Sequence, residues 1–151
     1  MKSVFVYGSL LFDPVVTSLI GEMPRWVEAT LPNHRRCKVE QPGRIARGPI
    51  LLQDPKYETR GRVLLDLDDR ALGILDAFES PSAGAPGYER VDVEVNTRMG
   101  SLNAAVYRAR SEMIGFAAGE WDEKQFEREH LQWYLEVRIP QLKEKWESTG
   151  T

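Results

Sequence analysis

The sequence predicts an α+β fold, in which a small mixed β-barrel carries flanking helices and is followed by a C-terminal helix. Segments of alternating apolar residues fill the middle of the chain, and segments with helical spacing lie between and after them. The 151 residues are enough to bury a core without disulfides or a structural metal. We therefore expect one domain over residues 1–151, with residues 121–148 as a helical extension.

The N-terminal segment predicts a strand followed by a short helix. Residues 3–7 alternate, so the two valines lie on one face of the strand and the two aromatic residues lie on the other. Asp13 and Pro14 are typical of a helix N-cap and the first helical position, and Gly21 should end this helix.

The next part of the chain predicts strands with a long loop between them. Two strands are expected over residues 26–31 and 35–39, with a Pro-Asn pair separating them. Residues 41–55 contain three prolines and two glycines and predict an ordered loop. A further strand over residues 59–67 should place every second residue from Val63 onward on one face.

A capped helix and a hairpin are predicted next. Asp68 can cap a helix whose apolar residues recur at helical spacing. This helix must end near Glu79, because a run rich in proline and glycine follows it. Residues 88–95 then alternate, residues 96–101 form a turn, and residues 103–109 return as the second strand of a hairpin.

The C-terminal part predicts a helix that carries several aromatic residues. Asp122 followed by Gln125 resembles a capping box. Pro140 should kink or interrupt the helix near Arg138, because proline has no N–H group to continue the ladder. His130 lies on the apolar stripe and is interpreted as a core or interface histidine, and the aromatic side chains as core rather than a substrate platform.

Charge and composition exclude several classes of protein. The net charge is −3, and the short basic stretches are followed at once by acidic residues, so nucleic acid is not an expected partner. No apolar run approaches the roughly 18 residues needed to cross a bilayer, and the N-terminus lacks a signal pattern. A cytoplasmic enzyme or binding domain, without a membrane partner, is the expectation.

Familiar catalytic and ligand-binding motifs are mostly missing. Residues 43–48 have the glycine spacing of a phosphate loop, but Pro49 and Ile50 stand where lysine and serine or threonine are needed. Two histidines and one cysteine, far apart, give no metal-ligand cluster, so no metal is expected. Cys37 is interpreted as a buried inert thiol, because His34 at i−3 on a strand points to the opposite face.

Glu79 is the one titratable residue that the pattern places where its side chain could point inward at the end of a helix. It follows the apolar stripe at the end of its helix, where burial and the helix dipole would both raise the pKa of an inward-pointing carboxyl group. A solvated glutamate at a helix end is the alternative, and the pattern alone favours it. Tyr88 and Arg90 could orient such a carboxylate through a hydrogen bond or an ion pair.

Two separated motifs give the chain a family resemblance. Phe5-Val6-Tyr7-Gly8-Ser9-Leu10 stands near the start, and Leu75-Asp76-Ala77-Phe78-Glu79 is followed by Tyr88-Glu89-Arg90-Val91. With them the chain resembles the γ-glutamylcyclotransferase-like (AIG2-like) family, whose hallmarks are a "YGSL/YGTL" loop after the first strand and a distant "LDxFE…YxR" segment. The resemblance covers residues 3–110, and the C-terminal helix looks like that of the plant and microbial branch.

The resemblance implies a compact β-barrel and a reaction, the cyclisation of a γ-glutamyl amide to 5-oxoproline with release of an amine or amino acid. It implies that Glu79 is the catalytic general acid/base. It also implies four substrate-binding residues, which are Tyr7, Gly8, Ser9 and Leu10. Tyr88 and Arg90 match the motif and are interpreted as structural support.

The implied chemistry needs no cofactor and no nucleophile from the protein, because the substrate's own α-amine attacks. The expected partner is a small γ-glutamyl substrate, either an amine or an amino-acid conjugate. A homodimer is an expected assembly. Many relatives carry a Gly-Tyr pair where this chain has Asn33-His34 before Arg35, so His34 should alter which leaving group fits. The alternative function is a non-catalytic module of the same fold that binds a small molecule or a protein.

Overall fold

The computed structural model of the protein describes residues 1–43, 45–79 and 88–149, with side chains up to residue 146. The predicted Pro- and Gly-rich run at residues 80–87 lies outside the described residues. Within the described part, no helix is long and apolar enough to cross a membrane.

The described residues form six strands, β1 (Lys2–Val6), β2 (Trp26–Val39), β3 (Ile50–Leu67), β4 (Tyr88–Thr97), β5 (Gly100–Ala109) and β6 (Ala117–Glu120). The first five close into a mixed barrel in the order β1-β5-β4-β2-β3, with β3 returning to pair with β1. The pairing of β1 with β5 is parallel and the others are antiparallel. The short strand β6 extends the sheet by pairing with β2. The predicted α+β barrel is confirmed.

The helices lie before, between and after the strands. A 3-10 turn (Ser9–Leu11) leads from β1 into α1 (Asp13–Ile20), and α2 (Asp69–Phe78) connects β3 to β4. A second 3-10 helix covers Ser111–Phe116. The C-terminal helices are α3 (Glu123–Glu129), α4 (Leu131–Trp133), a π-helical turn (Tyr134–Arg138) and α5 (Ile139–Thr149).

Of the three apolar clusters among the described residues, the two largest lie on the two sides of the barrel wall. The barrel core draws residues from all five barrel strands, among them Phe5, Tyr7, Leu31, Leu51, Val63, Val95 and Val106. The helix-side core contains Val4, Val6, Leu64, Leu75, Phe78, Phe126 and Tyr134. Strand β1 therefore buries both faces, with Val4 and Val6 toward the helices and Phe5, followed by Tyr7 just after the strand, inside the barrel, as the alternation predicted. Each fully buried phenylalanine or valine contributes about 1.5–3 kcal/mol.

The predicted break in β2 is wrong. The strand runs continuously through the Pro-Asn pair, because a β-bulge at Asn33, with φ 61°, accommodates the proline within the strand. The register against β3 shifts between Pro32 and His34 and then continues to Cys37. A bulge of this kind bends a strand without ending it.

The predicted loop before residue 55 is also wrong in part. Strand β3 begins at Ile50, which pairs with Cys37 on β2. The expected alternation toward Leu67 fails as well, because Asp66 has φ 53° and the register against β1 shifts at this end. Leu64 and Leu67 consequently share the helix-side core, while Val63 lies in the barrel core.

Most predicted helix ends agree with the structure. Asp68 caps α2 by accepting a hydrogen bond from Ala71 N at 2.8 Å. Gly21 ends α1 with φ 89°, although the N-cap of α1 is Phe12 and Asp13 is its first residue. Asp122 caps α3, but the Gln125 side chain bonds Glu129 rather than completing the capping box. The β4–β5 hairpin is confirmed, but the turn is shorter than the predicted residues 96–101, because Thr97 still pairs with Gly100.

Candidate active site

A cavity of about 30 Å³ lies where β1, α2 and the C-terminal helices meet. Six of the seven residues proposed from the sequence line it, which are Tyr7, Gly8, Ser9, Leu10, Glu79 and Tyr88. Residues that the sequence did not single out for the site complete the wall, namely Phe5, Val6, Gly48, Pro49, Phe78, Tyr107, Tyr134 and Arg138. Two motifs about 70 residues apart in the chain are thus brought to one site.

The turn after β1 presents two backbone N–H donors that have no acceptor among the described residues. Gly8, Ser9 and Leu10 are buried, and the turn is closed by Leu11 N donating to Gly8 O at 2.9 Å. The N–H groups of Ser9 and Leu10 lie at the start of this 3-10 turn, where no acceptor exists within the helix. Neither donates to any residue that the structure describes. Buried donors of this kind are suited to an oxygen of a ligand.

Gly8 is required by its packing against Pro49. A Cβ atom on Gly8 would lie 2.8 Å from Pro49 Cδ and 2.9 Å from Cγ. Pro49 is itself held by the hydroxyl of Tyr88, which donates to Pro49 O at 2.8 Å. Tyr88 therefore supports the turn from the far side of the cavity, as well as lining it.

Glu79 stands directly after α2 as its C-cap residue. Its N–H donates to Leu75 O at 3.0 Å, and its side chain is partly buried at the cavity. Burial raises the pKa of its carboxyl group from 4.5 to about 7, and the positive charge of Arg138 opposes this rise. A carboxyl group with this pKa exchanges a proton near neutral pH, as general acid/base catalysis requires. The alternative of a fully solvated helix-end glutamate is therefore not what the structure shows.

Hydrogen bonds connect the cavity wall to the outer face of α2. The Tyr7 hydroxyl donates to Tyr107 O, and the Tyr107 hydroxyl donates to Asp76 Oδ1 at 2.7 Å. Arg90 does not line the cavity but donates to both oxygens of Asp76, at 3.1 and 2.9 Å. Arg90 therefore holds the helix that carries Glu79, which agrees with a supporting position.

The phenolic groups at the cavity are neutral hydrogen-bonding groups. Burial raises the pKa of each of them, and the nearby Glu79 adds to the rise; they are Tyr7, Tyr88, Tyr107 and Tyr134. For Tyr134, the adjacent Arg138 guanidinium counteracts part of the effect of burial. The ionisable character of the cavity therefore rests on the carboxyl group of Glu79 and the guanidinium of Arg138.

Sequence reasoning missed Tyr107, Tyr134 and Arg138 as site residues. Tyr107 is on a strand face that alternation could have identified, since it pairs with Arg90 of the second motif. Tyr134 was interpreted as core, and it lies in the helix-side core as well as at the cavity. Arg138 could have been identified most readily, because an arginine on the buried side of an aromatic helix is rarely found without a specific partner.

Three other residues weighed from the sequence lie elsewhere. His34 is buried but does not line the cavity, and its Nδ1 is 2.9 Å from Pro32 O. Cys37 is buried in a separate apolar cluster, and burial raises the pKa of its thiol. His130 is half-buried at the end of α3 and packs on the Phe126 ring. No group of three or more potential metal ligands was found in the described ranges.

Known proteins resemble this chain in sequence and in fold. AIG2-like protein D of Arabidopsis thaliana is 31% identical over 140 residues, which are 91% of this chain and 86% of that protein. AIG2-like protein A of the same plant is 30% identical over 154 residues, or 99% of this chain and 88% of that protein.

Solved structures show the same fold. The solution structure of an Arabidopsis thaliana protein matches with a TM-score of 0.62 and 28% identity, over 99% of this chain and 93% of that chain. A structure described as a gamma-glutamyl cyclotransferase matches with a TM-score of 0.62 over 72% of this chain and 66% of that chain. At 20% identity, this second likeness shows the fold alone.

The family described as "Gamma-glutamyl cyclotransferase, AIG2-like" matches residues 4–123, which include both motifs and every cavity residue except Tyr134 and Arg138. The resemblance inferred from the two motifs is confirmed. The chain belongs to the AIG2-like gamma-glutamyl cyclotransferase family.

Proposed function

We propose that this protein is a γ-glutamyl cyclotransferase, which cyclises a γ-glutamyl amide to 5-oxoproline and releases an amine or amino acid. One observation carries the proposal. The Glu79 carboxyl group is partly buried, has a pKa of about 7 and lines the same cavity as Ser9 and Leu10, whose N–H groups have no acceptor among the described residues. Family membership supports it.

The reaction balances with one proton carrier and no protein nucleophile. The α-nitrogen of the substrate attacks the γ-carbonyl carbon, a C–N bond forms to close the five-membered ring, and the amide C–N bond breaks. The α-ammonium gives up two protons and the leaving nitrogen gains two. Intramolecular attack reaches effective molarities of up to about 10⁵–10⁸ M when the geometry is held, so the protein's task is to fold the substrate and move protons.

Glu79 is the proposed proton carrier. An ordinary glutamate is a poor base for an α-ammonium, since their pKa values differ by about 3.7 units, or about 5 kcal/mol. The raised pKa of Glu79, about 7, reduces this difference to about 1 unit, or about 1.4 kcal/mol. A base matched in this way typically accelerates a reaction by about 10²–10⁴-fold. Once protonated, the same group can return the proton to the leaving nitrogen.

The turn after β1 is the proposed cradle for the glutamyl group. The N–H groups of Ser9 and Leu10 are directed donors, and they suit either the α-carboxylate or the oxyanion that develops on the γ-carbonyl. Gly8 allows Pro49 to approach this turn closely, which fixes the donors without a ligand present. Preorganised donors of this type need no rearrangement when charge develops.

The test is 5-oxoproline release from a panel of γ-glutamyl amines, γ-glutamyl amino acids and γ-glutamyl-lysine. Glu79→Gln should lower turnover by at least about 10²-fold while leaving the circular dichroism spectrum unchanged. Binding of 5-oxoproline, measured by thermal shift, should persist in the variant. Full activity of Glu79→Gln would contradict the role of this residue. A wild-type protein that binds 5-oxoproline but turns over no member of the panel would instead be a binding module.

A further inference from the structure

Arg138 is the buried charge at the cavity that the family match does not include. It lies in the π-helical turn Tyr134–Arg138, beyond residue 123 where that match ends. Only 9% of the residue is exposed, although it is an arginine. Its side chain lines the same cavity as Glu79. A cation buried to this degree is costly unless its contacts stabilise it.

The contacts of Arg138 go to the end of α2. Its Nη2 donates to Phe78 O, the carbonyl of the last residue of that helix. Its Nη1 donates to the Tyr134 hydroxyl at 3.1 Å, and the guanidinium carbon lies 4.3 Å from the centre of the Phe78 ring. A cation at a helix C-terminus satisfies a free carbonyl and interacts favourably with the helix dipole. Arg138 thus fixes the residue immediately before Glu79.

The π-helical turn explains how the C-terminal helix reaches this position. Pro140 has no N–H group, and we expected it to interrupt the helix near Arg138. Instead, Ile139 N donates to Tyr134 O, five residues back, and the helix continues as α5. Such π-helical turns occur frequently at functional sites. Here the turn carries both residues of the C-terminal helices that line the cavity, Tyr134 and Arg138.

Arg138 also supplies the cation that acts on Glu79. The other described groups around Glu79 are four tyrosine hydroxyls, and burial keeps all of them neutral. They belong to Tyr7 directly after β1, Tyr88 on β4, Tyr107 on β5 and Tyr134. One turn earlier on α2, Asp76 is paired with Arg90. Within the described part of the chain, Arg138 is the charge that holds the pKa of Glu79 below the value that burial alone would give.

We propose that Arg138 is a positioning residue of the site, which fixes the end of α2 that carries Glu79 and presents a permanent positive charge to its carboxyl group. The C-terminal helices then form part of the catalytic apparatus rather than an appendage to the barrel. The effect on turnover rests on the proposed function, whereas the effect on the Glu79 carboxyl group does not.

The test compares Arg138→Met with Arg138→Lys in the full-length protein. The titration of Glu79 is followed by ¹³C NMR of the carboxyl carbon, which Glu79→Gln assigns by removing the signal. Arg138→Met should raise the titration midpoint by about one pH unit or more, because loss of a nearby positive charge raises the pKa of a carboxyl group by about that amount. Arg138→Lys keeps the charge and should stay close to the wild type. In turnover assays, the acid limb of the pH profile should move by the same amount, so that activity lost at pH 7 returns at higher pH.

A matched control separates the charge from the anchoring of α2. Arg90→Met also removes a cation that holds α2, but Arg90 pairs with Asp76 and does not line the cavity. It should lower the melting temperature without moving the Glu79 midpoint. An unchanged midpoint in Arg138→Met, or an equal shift in Arg90→Met, would overturn the proposal.

Two further outcomes keep the inference independent of folding and of turnover. If Arg138→Met does not fold, Arg138→Gln provides a second variant without the charge. Arg138→Lys also remains a test, because a Glu79 midpoint displaced by one pH unit with the charge retained would overturn the proposal. If the wild type releases no 5-oxoproline from any substrate, the proposed function fails. The NMR titration would in that case still establish or reject the action of Arg138 on Glu79.

Discussion

Arg90 on β4 and Asp76 on α2 form an ion pair in which one nitrogen, Nη1, lies 3.1 and 2.9 Å from the two carboxylate oxygens. The same carboxylate accepts a hydrogen bond from the Tyr107 hydroxyl at 2.7 Å. Asp76 precedes Glu79 by three residues, so these contacts hold the last turn of the helix against the β4–β5 hairpin. The position of Glu79 at the cavity therefore depends on a pair in which Arg90 and Asp76 do not themselves line the cavity.

The two ends of this pair should differ in their effect on stability. The side chains of Arg90 and Asp76 are 36% and 43% exposed, so Arg90→Met should cost no more than about 1 kcal/mol. Asp76→Ala should cost about 1–3 kcal/mol, because it also leaves the part-buried Tyr107 hydroxyl without an acceptor. Urea unfolding of both variants and of the double variant measures the two effects. Equal losses in the two single variants would contradict this assignment.

Glu79 should make the protein less stable as the pH rises. Its pKa is raised from 4.5 in the unfolded chain to about 7 in the fold, so the folded state binds more protons between these values. The free energy of unfolding therefore falls as the pH rises from 4.5 to 7. The difference corresponds to about 3 kcal/mol. Glu79→Gln should be close to the wild type at pH 4 and more stable by up to about 3 kcal/mol at pH 8.

Urea unfolding at both pH values tests this dependence. The matched control is Glu127→Gln, a change at an exposed position on α3, which should stay within about 0.5 kcal/mol of the wild type at either pH. A Glu79→Gln variant that is no more stable than the wild type at pH 8 would show that the carboxyl group is well solvated.

The elements that local chemistry determines were predictable from the sequence. Asp68 and Glu79 were identified as the ends of one helix, since a cap and a helix-breaking run act on the residues next to them. The same pattern favoured a solvated Glu79, however, and only the family resemblance placed this residue at the site. The turn of Gly8 to Leu10 was identified only through the family resemblance, because a glycine after a strand has many uses.

The parts of the site that depend on distant contacts were not predictable in this way. Arg138 meets Phe78 across 60 residues, and nothing near it in the chain specifies that partner. The bulges at Asn33 and Asp66 likewise reflect the closing of the barrel, which overrides local alternation. Pro140 indicated an interruption, but the helix continues through a π-helical turn, which tertiary packing of the aromatic stripe stabilises.

The pH profile of kcat/KM should be bell-shaped. Glu79 must be charged to accept a proton, so activity should rise about tenfold per pH unit below its pKa of about 7. The proton that Glu79 returns to the leaving nitrogen comes from the α-ammonium of the substrate. Activity should therefore fall above the pKa of that group, about 8, where the substrate no longer supplies this proton. A substrate with a less basic α-amine should move the alkaline limb alone. An acid limb near pH 4.5 would be inconsistent with a buried Glu79 as the base.

Gly8→Ala should disturb the turn that presents the N–H groups of Ser9 and Leu10, which have no acceptor in the described part of the chain. The new methyl group would lie 2.8 Å from Pro49 Cδ, and Pro49 has little freedom to move, because its ring is rigid and its carbonyl is bonded to Tyr88. Overpacking of this kind costs about 1–3 kcal/mol. KM for a γ-glutamyl substrate should rise as well, since the displaced turn no longer aligns the N–H groups.

Gly73→Ala is the matched control, and it should raise the free energy of unfolding where Gly8→Ala lowers it. Gly73 is exposed on α2, and a Cβ atom there meets nothing within 4 Å. Alanine is the better helix former by up to about 1 kcal/mol, so this variant should be more stable than the wild type. Urea unfolding and steady-state kinetics on both variants separate the two cases. A Gly8→Ala protein as stable as Gly73→Ala would mean that Pro49 yields to the methyl group, and that glycine is not needed to form the turn.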